Sequence, residues 1–410
     1  MAAMPVTQAK QQSAHVLYVG AILPKRSETF VYREVFGLRD RGWRVTAASI
    51  HPPDRALGDR RLDQLADEAV VVYRPRLLLD AVIGAALRPG VALRGVADAI
   101  ADPDVPLSRR PRVLVQLAGG LSLAWRLRRE GVTHVHAHMA HVPATVAMYA
   151  AAALGVPMTF TGHAADLFRD RQMLRRKLER AAQVMCISEW HRDFYKTWVE
   201  RDDEDFPVVR CGVDLEKFTP GEGGNGILAV GRLVPKKGFD TMIRAFAQVV
   251  AESEGQEGFR LTLIGDGPER QPLEELASEL GVGSLVDFHG AGTEREVRAA
   301  MKRADLFVLP CRVSADGDRD GIPVVLMEAM ASGVPVVCGD LPTIRELVVD
   351  DSCGRLLPPD DVDAFAEQIR RLLCDEAERR AVGLAGRVRV AEEFSARIAL
   401  DRLERCYAHS

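Results

Sequence analysis

Arg232 and Lys237 leave one short loop, Gly231 to Gly238, and both are cations. Two cations on a strand-to-helix loop can neutralise a diphosphate, and in a reaction they can stabilise charge developing on a departing one. Asp320 and Glu328 belong to a second stretch, Asp316 to Val337, which opens as a loop crowded with acids and closes as a strand. Eight positions apart, about two helical turns, the two carboxylates can share a face. Pro323 fits the first turn of the helix between loop and strand, where no N–H partner is needed. The start of that helix offers free backbone N–H groups and a positive dipole end to an anion. Carboxylates hold sugar hydroxyls and N–H groups hold phosphates. The element therefore has the chemistry for both halves of a nucleotide sugar. The plainer alternative is a solvated acidic loop before a core helix.

Histidines form the second group. His163 follows a strand and precedes a helical segment, with Asp166 three residues on. Alternation puts His134, His136 and His138 on one face of a strand, with His141 beyond, and such a row invites a metal. No Asp, Glu or Cys accompanies it in sequence, so the expectation is no metal. His136 and His138 then end their strand on the acceptor side. Gly265 and Gly267 resemble the start of a dinucleotide fingerprint, but the third glycine is missing and Pro268 opens the helix, which excludes NAD.

The elements that must carry these residues alternate regularly. Strands are expected at 15–20, 44–50, 132–138, 157–161, 183–187 and 208–211, and then at 226–231, 260–264, 285–288, 305–309, 334–338 and 354–357. Helical patterns fill the gaps, among them 28–41, 238–251, 268–280, 293–303, 321–332, 341–348 and 361–374. That alternation predicts two doubly wound α/β domains with parallel sheets. Ligands of such sheets gather at the carboxyl ends of the strands, which makes the Gly20–Phe30 loop a candidate site wall and a cleft between domains the default site. The glycines of 221–226 read as a flexible linker. Residues 75–130 read as two or three helices broken near Pro89, Gly90, Pro103 and Pro106, with arginines on the outside.

With 410 residues the chain exceeds one core. A formal charge of −4 argues against a nucleic-acid binder, although residues 1–205 carry 29 Lys+Arg against 23 Asp+Glu and the remainder 25 against 35. Arg74, Arg76, Arg88, Arg94, Arg109, Arg110 and Arg112 supply much of the basic excess. A basic amphipathic zone can lie on an anionic membrane, the alternative being a solvated face. Seven cysteines without a C-x-x-C spacing read as reduced core residues. Neither a signal pattern nor a membrane-length apolar run is present, so a cytoplasmic protein is expected, peripheral to the membrane at most.

In order along the chain, Gly231-Arg232 with Lys237-Gly238, Gly265 to Pro268, His289-Gly290, Ala304 to Pro310, and Asp320 with Glu328 to Pro335 resemble retaining glycosyltransferases of the GT4 type. In the first half the same resemblance is carried by Ser27 to Phe30, His136 to His138, Gly162-His163, and Cys211 to Asp214. Ser27 to Phe30 and Arg319 to Pro323 look most like the bacterial exopolysaccharide branch, colanic acid glycosyltransferases included. The resemblance implies a GT-B fold: an N-terminal Rossmann-like acceptor-side domain at 1–212, a nucleotide-sugar domain at 213–394, a cleft between them, and a terminal helix at 395–410 packing back on the first. It implies a UDP- or GDP-linked donor, a saccharide or lipid-linked saccharide acceptor, and no metal or other cofactor.

By matching position the resemblance puts Arg232 and Lys237 on diphosphate and Glu328 on ribose hydroxyls. Asp320 is placed on the transferred sugar, and the N–H groups of Ile322, Val324 and Val325 on sugar or phosphate. Gly20, Gly290 and Gly321 also fall on the donor side. His163 is placed near the reacting carbon, and Glu28, Thr29, His136, His138 and Asp166 toward the acceptor. Because the anomeric configuration is retained, the leaving phosphate accepts the acceptor's proton. Asp320 where the family commonly has Glu, and Pro323 where it commonly has Gly, bear on donor identity. A GT-B epimerase, needing no acceptor, and a silent binding module are the alternatives. A phosphorylase would need a pyridoxal lysine motif, which is not seen.

Overall fold

Short runs of β-branched and small apolar residues build two all-parallel six-stranded sheets in this computed structural model, which describes residues 14–55, 57–163, 171–252 and 258–409. The chain divides into two compact units, Arg210–Ala399 and the remainder, to which the residues from Leu400 onward belong.

In the first unit the strands are β1 (His15–Gly20), β2 (Arg44–Ser49), β3 (Val70–Val71), β4 (His134–His138), β5 (Met158–Gly162) and β6 (Gln183–Cys186). Their order across the sheet is β3-β2-β1-β4-β5-β6. Strand β1 is buried along its whole length and feeds two cores. Leu17 and Val19 join one, while Val16 and Tyr18 on the opposite pleat join the other. The helices are α1 (Thr29–Asp40), α2 (Arg60–Glu68), α3 (Leu77–Leu87), α4 (Pro89–Ala101), α5 (Arg110–Leu127), α6 (Val142–Leu154), α7 (Leu174–Arg180) and α8 (Glu189–Lys196).

In the second unit the strands are β7 (Ile227–Val230), β8 (Leu261–Ile264), β9 (Val286–Gly290), β10 (Leu306–Leu309), β11 (Val336–Gly339) and β12 (Arg355–Leu357), ordered β12-β11-β10-β7-β8-β9. Counted within its unit, each sheet runs 3-2-1-4-5-6, so the order reverses between β1 and β4 and again between β7 and β10. Ligands of doubly wound sheets collect at such switch points. The helices here are α9 (Phe239–Glu252), α10 (Arg270–Glu279), α11 (Glu294–Met301), α12 (Val324–Ala331), α13 (Val362–Cys374) and α14 (Glu376–Glu393), and α15 (Ala396–His409) follows.

Several expectations are corrected. The 221–226 glycines are not a linker but are pinned inside the second unit. Gly224 and Gly226 donate N–H to the Asp305 carboxylate at 2.9 and 2.8 Å, and a Cβ on Gly221 would overlap the Lys302 backbone. The 208–211 strand reduces to a bridge between Cys186 and Val208. Only a 3-10 turn, Ile344–Glu346, forms in the 341–348 span. Helix α12 starts at Val324 rather than 321, with Pro323 as its N-cap. Asp320 therefore lies in the loop, not on a helix face shared with Glu328. The sequence reading also passed over α2, β3 and α14.

Candidate active site

The loop after β7 and the loop after β10 meet at the switch point of the second sheet. After β7, Gly231 and Arg232 lead into a 3-10 turn, Pro235–Lys237, that ends on Gly238 with φ +65°. A Cβ there would overlap the Pro310 carbonyl oxygen, so only glycine lets this turn press against the end of β10. The turn brings in two buried lysines. Lys237 Nζ stands 2.7 Å from Asp320 Oδ2, while Lys236 Nζ lies 3.4 Å from Asp320 Oδ1 and 3.2 Å from Asp318 Oδ1. The Cys311 thiol adds a contact to Asp320 Oδ2 at 3.3 Å. Burial opposes the charge on Asp320, but Lys237 and Lys236 outweigh it and hold its carboxyl below the ordinary value. Burial likewise opposes the charge on Lys237, and Asp320 overrides it and raises the ammonium. Burial, with Asp320 second, pushes the Cys311 thiol well up, so it stays protonated.

Beyond Asp320 the chain is fixed by Thr343 Oγ1, which donates to the Gly321 carbonyl at 3.1 Å. Gly321 and Ile322 are buried, and Val324 and Val325 are half-buried in the first turn of α12, where N–H groups have no intrahelical acceptor. Glu328 is buried on the same helix. Arg232 is exposed. Gly290 ends the edge strand β9 with φ +83°, and its carbonyl accepts from Gly265 N–H at 2.8 Å.

At the switch point of the first sheet, β1 ends on Gly20 and β4 on His138. His138 Nε2 lies 2.9 Å from Glu34 Oε2, and His138 Nδ1 lies 3.2 Å from His163 Nε2. Tyr18 donates its hydroxyl to Glu34 Oε2 at 3.1 Å and receives that of Tyr407 at 2.9 Å. A carboxylate only accepts, so Glu34 takes His138 Nε2–H. With the ring neutral, His138 Nδ1 then accepts His163 Nε2–H. Burial, followed by the neighbouring His138, drives the His163 pKa well down, so His163 is neutral. Phe30 packs on its ring at 4.5 Å between centroids. Glu28, ion-paired to Lys25 at 2.5 Å, and Thr29 stand half-buried at the start of α1. Met139, with φ +78°, turns the chain sharply after His138, and Lys177 Nζ braces that turn by donating to the Ala140 carbonyl at 2.6 Å.

Residues 27–217 match the family described as Glycosyltransferase Family 4, and residues 214–389 match Glycosyl transferases group 1. The chain belongs to the GT4-type glycosyltransferases. It is 35% identical over 201 residues to a putative colanic acid biosynthesis glycosyltransferase, WcaL, of Escherichia coli, covering 48% of this chain and 49% of that protein. It is 34% identical over 190 residues to a GDP-mannose-dependent alpha-(1-6)-phosphatidylinositol monomannoside mannosyltransferase of Mycolicibacterium smegmatis, covering 43% and 49%. The chain thus spans about half the length of the curated relatives it matches. Among solved structures, Alr3699/HepE of Anabaena in complex with UDP has a TM-score of 0.72 at 16% identity, over 97% of this chain and 100% of that one. That likeness shows the fold, GT-B with two Rossmann-like domains.

For this family member the structure brings Lys237, Asp320, Gly321 and Ile322 together in one unit, and His138 with His163 in the other. Asp166 lies outside the described residues. His136 sits deeper than the sequence suggests: Nδ1 meets Thr159 Oγ1 at 2.8 Å and Nε2 meets Thr161 Oγ1 at 3.3 Å. The expectation that no acid accompanies the histidine row is corrected, since Glu34 lies with His136 and His138 within a span of 4.8 Å. The donor set fits a metal poorly, because both His136 nitrogens are engaged by threonine hydroxyls and Glu34 joins His138. Lys236, Cys311, Glu34 and Lys177 escaped the sequence reading. Lys236 adjoins a residue already singled out, whereas Glu34 carries no signal beyond its place in an amphipathic helix.

Proposed function

We propose that this chain is a retaining, metal-independent glycosyltransferase moving a sugar from a UDP- or GDP-linked donor to a saccharide or lipid-linked saccharide in surface or exopolysaccharide synthesis. It would work in the cytoplasm, with its first unit at the inner face of the membrane. The observation that carries the reading is the junction of Lys236, Lys237 and Asp320 ahead of the α12 N-terminus. Two cations and the first-turn N–H groups of α12 suit phosphate, and a carboxylate beside them suits sugar hydroxyls. The donor base stays open between two, because Alr3699/HepE is seen with UDP and the Mycolicibacterium relative is GDP-mannose-dependent.

In this proposal Arg232 and Lys237 take the diphosphate, Glu328 the ribose, and Ile322, Val324 and Val325 offer N–H groups. Asp320 and His163 meet the transferred sugar, and Gly20, Gly290 and Gly321 line the donor side. Glu28, Thr29, His138 and Asp166 serve the acceptor side, and His136, fully buried on its threonines, backs them. The bond from the anomeric carbon to phosphate breaks as the acceptor hydroxyl adds on the same face, and its proton passes to the departing phosphate. Cations positioned on that phosphate can carry the charge a metal would otherwise carry, which supports metal independence.

A thermal-shift series with UDP, GDP, UDP-glucose and GDP-mannose tests the donor. A nucleotide at a hundred times its Kd stabilises by about 2.7 kcal/mol. Transfer assayed with a chelator present, and the anomeric configuration of the product read by NMR, test the remainder. A chain that no nucleotide stabilises, or that makes product only with added metal, overturns the corresponding part.

A further inference from the structure

Helices α3 and α4 are built inside out. Between Arg76 and Ala101 the only acids are Asp80 and Asp98, and both are buried. Asp98 receives a two-pronged hydrogen bond from Arg180 at 2.6 and 2.9 Å and the Tyr149 hydroxyl at 3.1 Å. Asp80 receives Arg74 at 2.7 Å. Gly84 and Gly95 mark the same inward face, where a Cβ would overlap Leu121 and Leu117 of α5. The outward face is apolar. Leu78 and Leu93 are each 73% exposed, Val82 66% and Ile100 56%. Leu93, Val96 and Ile100 form an i, i+3, i+7 stripe, which makes it a continuous face rather than scattered contacts. The only charged side chains exposed on this hairpin are Arg76, Arg88 and Arg94.

A water-facing helix pair would place its acids outside and its leucines inside. A contiguous exposed apolar face marks an interaction site, and the exposed charges within the hairpin itself are all positive. From this we infer that the α3–α4 hairpin is the surface by which the chain docks on an anionic lipid bilayer. The leucines and valines enter the headgroup boundary while the three arginines lie at lipid phosphate level. The lipid-linked acceptor of the proposed function gives this docking its purpose, and to that extent the inference rests on that reading. The surface itself is tested without donor or acceptor, so docking can fail while transfer to a soluble acceptor stands.

The test is co-sedimentation of the full chain with vesicles of phosphatidylcholine alone and of phosphatidylcholine mixed with phosphatidylglycerol. Binding is expected to the mixed vesicles only and to weaken with salt. Each arginine near an anionic surface is worth a factor of roughly five in partitioning. The Arg76→Gln/Arg88→Gln/Arg94→Gln chain should therefore bind about a hundredfold less tightly. Val82→Asp/Leu93→Asp, at exposed positions, should abolish binding while leaving the melting temperature and nucleotide-induced stabilisation unchanged. Three results would overturn the inference: no binding to mixed vesicles, undiminished binding by both variants, or a wild-type dimer in solution that Val82→Asp/Leu93→Asp converts to monomer. The last would make the occupant a second copy of the chain.

Discussion

Lys237 Nζ and Asp320 Oδ2 are 2.7 Å apart and their side chains are only 11% and 14% exposed, although 83 positions separate them in sequence. Residues assigned to different parts of a donor thus hold one another. Removing Lys237 leaves Asp320 with Lys236 alone, at 3.4 Å, and losing half of a buried pair costs about 3–5 kcal/mol, here an upper bound. Lys237→Ala should lower stability by that order in urea unfolding and abolish transfer. Lys237→Met/Asp320→Leu should recover most of the stability and none of the transfer. A double variant no more stable than the single one would show that the two residues are not coupled. The pH signs follow from the shifts. The Asp320 contribution is present above its unfolded value near 3.8 and lost as pH falls through its depressed folded value. The Lys237 contribution is complete below 10.5 and lost as pH rises through its raised one.

Glu34 reaches His163 only through His138, which suits it to a positioning role. Glu34→Gln keeps the shape but can turn an N–H toward His138 Nε2, which reverses the donor order along both rings. Nitrogen NMR of the wild-type chain should find His163 protonated at Nε2, and the variant should show the other tautomer. A misaligned group can cost on the order of a hundredfold in rate, so kcat is expected to fall by up to that much with the donor KM little changed. A loss of melting temperature with the tautomer intact would assign Glu34 to structure alone.

The strands were legible because alternating or continuous apolar runs bounded by glycine and proline have few other uses. Lys237, Asp320 and His163 were legible as chemistry because each follows a strand in an α/β alternation. Their partners were not. Lys236 with Asp318, and Glu34 with His138, join segments far apart in sequence, and no local pattern encodes such a pairing. The 221–226 glycines looked flexible because composition does not distinguish freedom from close approach. Here they let the backbone lie against Lys302 and Asp305. The sequence put arginines on the outside of the helices in 75–130, but it did not foresee that leucines and valines of α3 and α4 face outward beside them. Asp80 and Asp98 decide that, through Arg74 and Arg180.

Buried neutral histidines should make the fold acid-sensitive. Burial lowers His134 from 6.5 to about 4, and it also drives His136 and His163 well below 6.5. Below 6.5 the unfolded chain binds protons that these folded side chains refuse, so stability falls as pH drops. His134 alone contributes about 2 kcal/mol of loss by pH 5. Melting temperatures taken across pH 5 to 7.5 should rise with pH, and His134→Gln should flatten the slope. A wild-type melting temperature constant over that interval would contradict the buried neutral assignment.

Tyr407, near the end of the last helix, ties α15 to the first strand of the chain. Its hydroxyl donates to Tyr18, and its ring lies 4.8 Å from that of His134 and 5.8 Å from that of Trp43. Glu404 accepts Trp43 Nε1–H at 2.7 Å and pairs with Arg41 at 2.8 Å. Leu403, Cys406 and Tyr407 are buried in the core that holds Tyr18, Val35 and Leu38. Tyr407→Phe removes one hydrogen bond and should cost about 1 kcal/mol. A chain ending at Ala399 loses four buried side chains, Leu400 among them, at roughly 2 kcal/mol each, a loss of about 8 kcal/mol. Trp43 should then lose its buried environment, read as a red shift in emission against a Trp43→Phe control. Because Tyr407 also feeds the hydrogen bonds leading through Glu34 to His163, the truncated chain should lose transfer while its second unit still binds nucleotide. Equal melting temperatures for the truncated and full chains would show that α15 contributes nothing to the first unit.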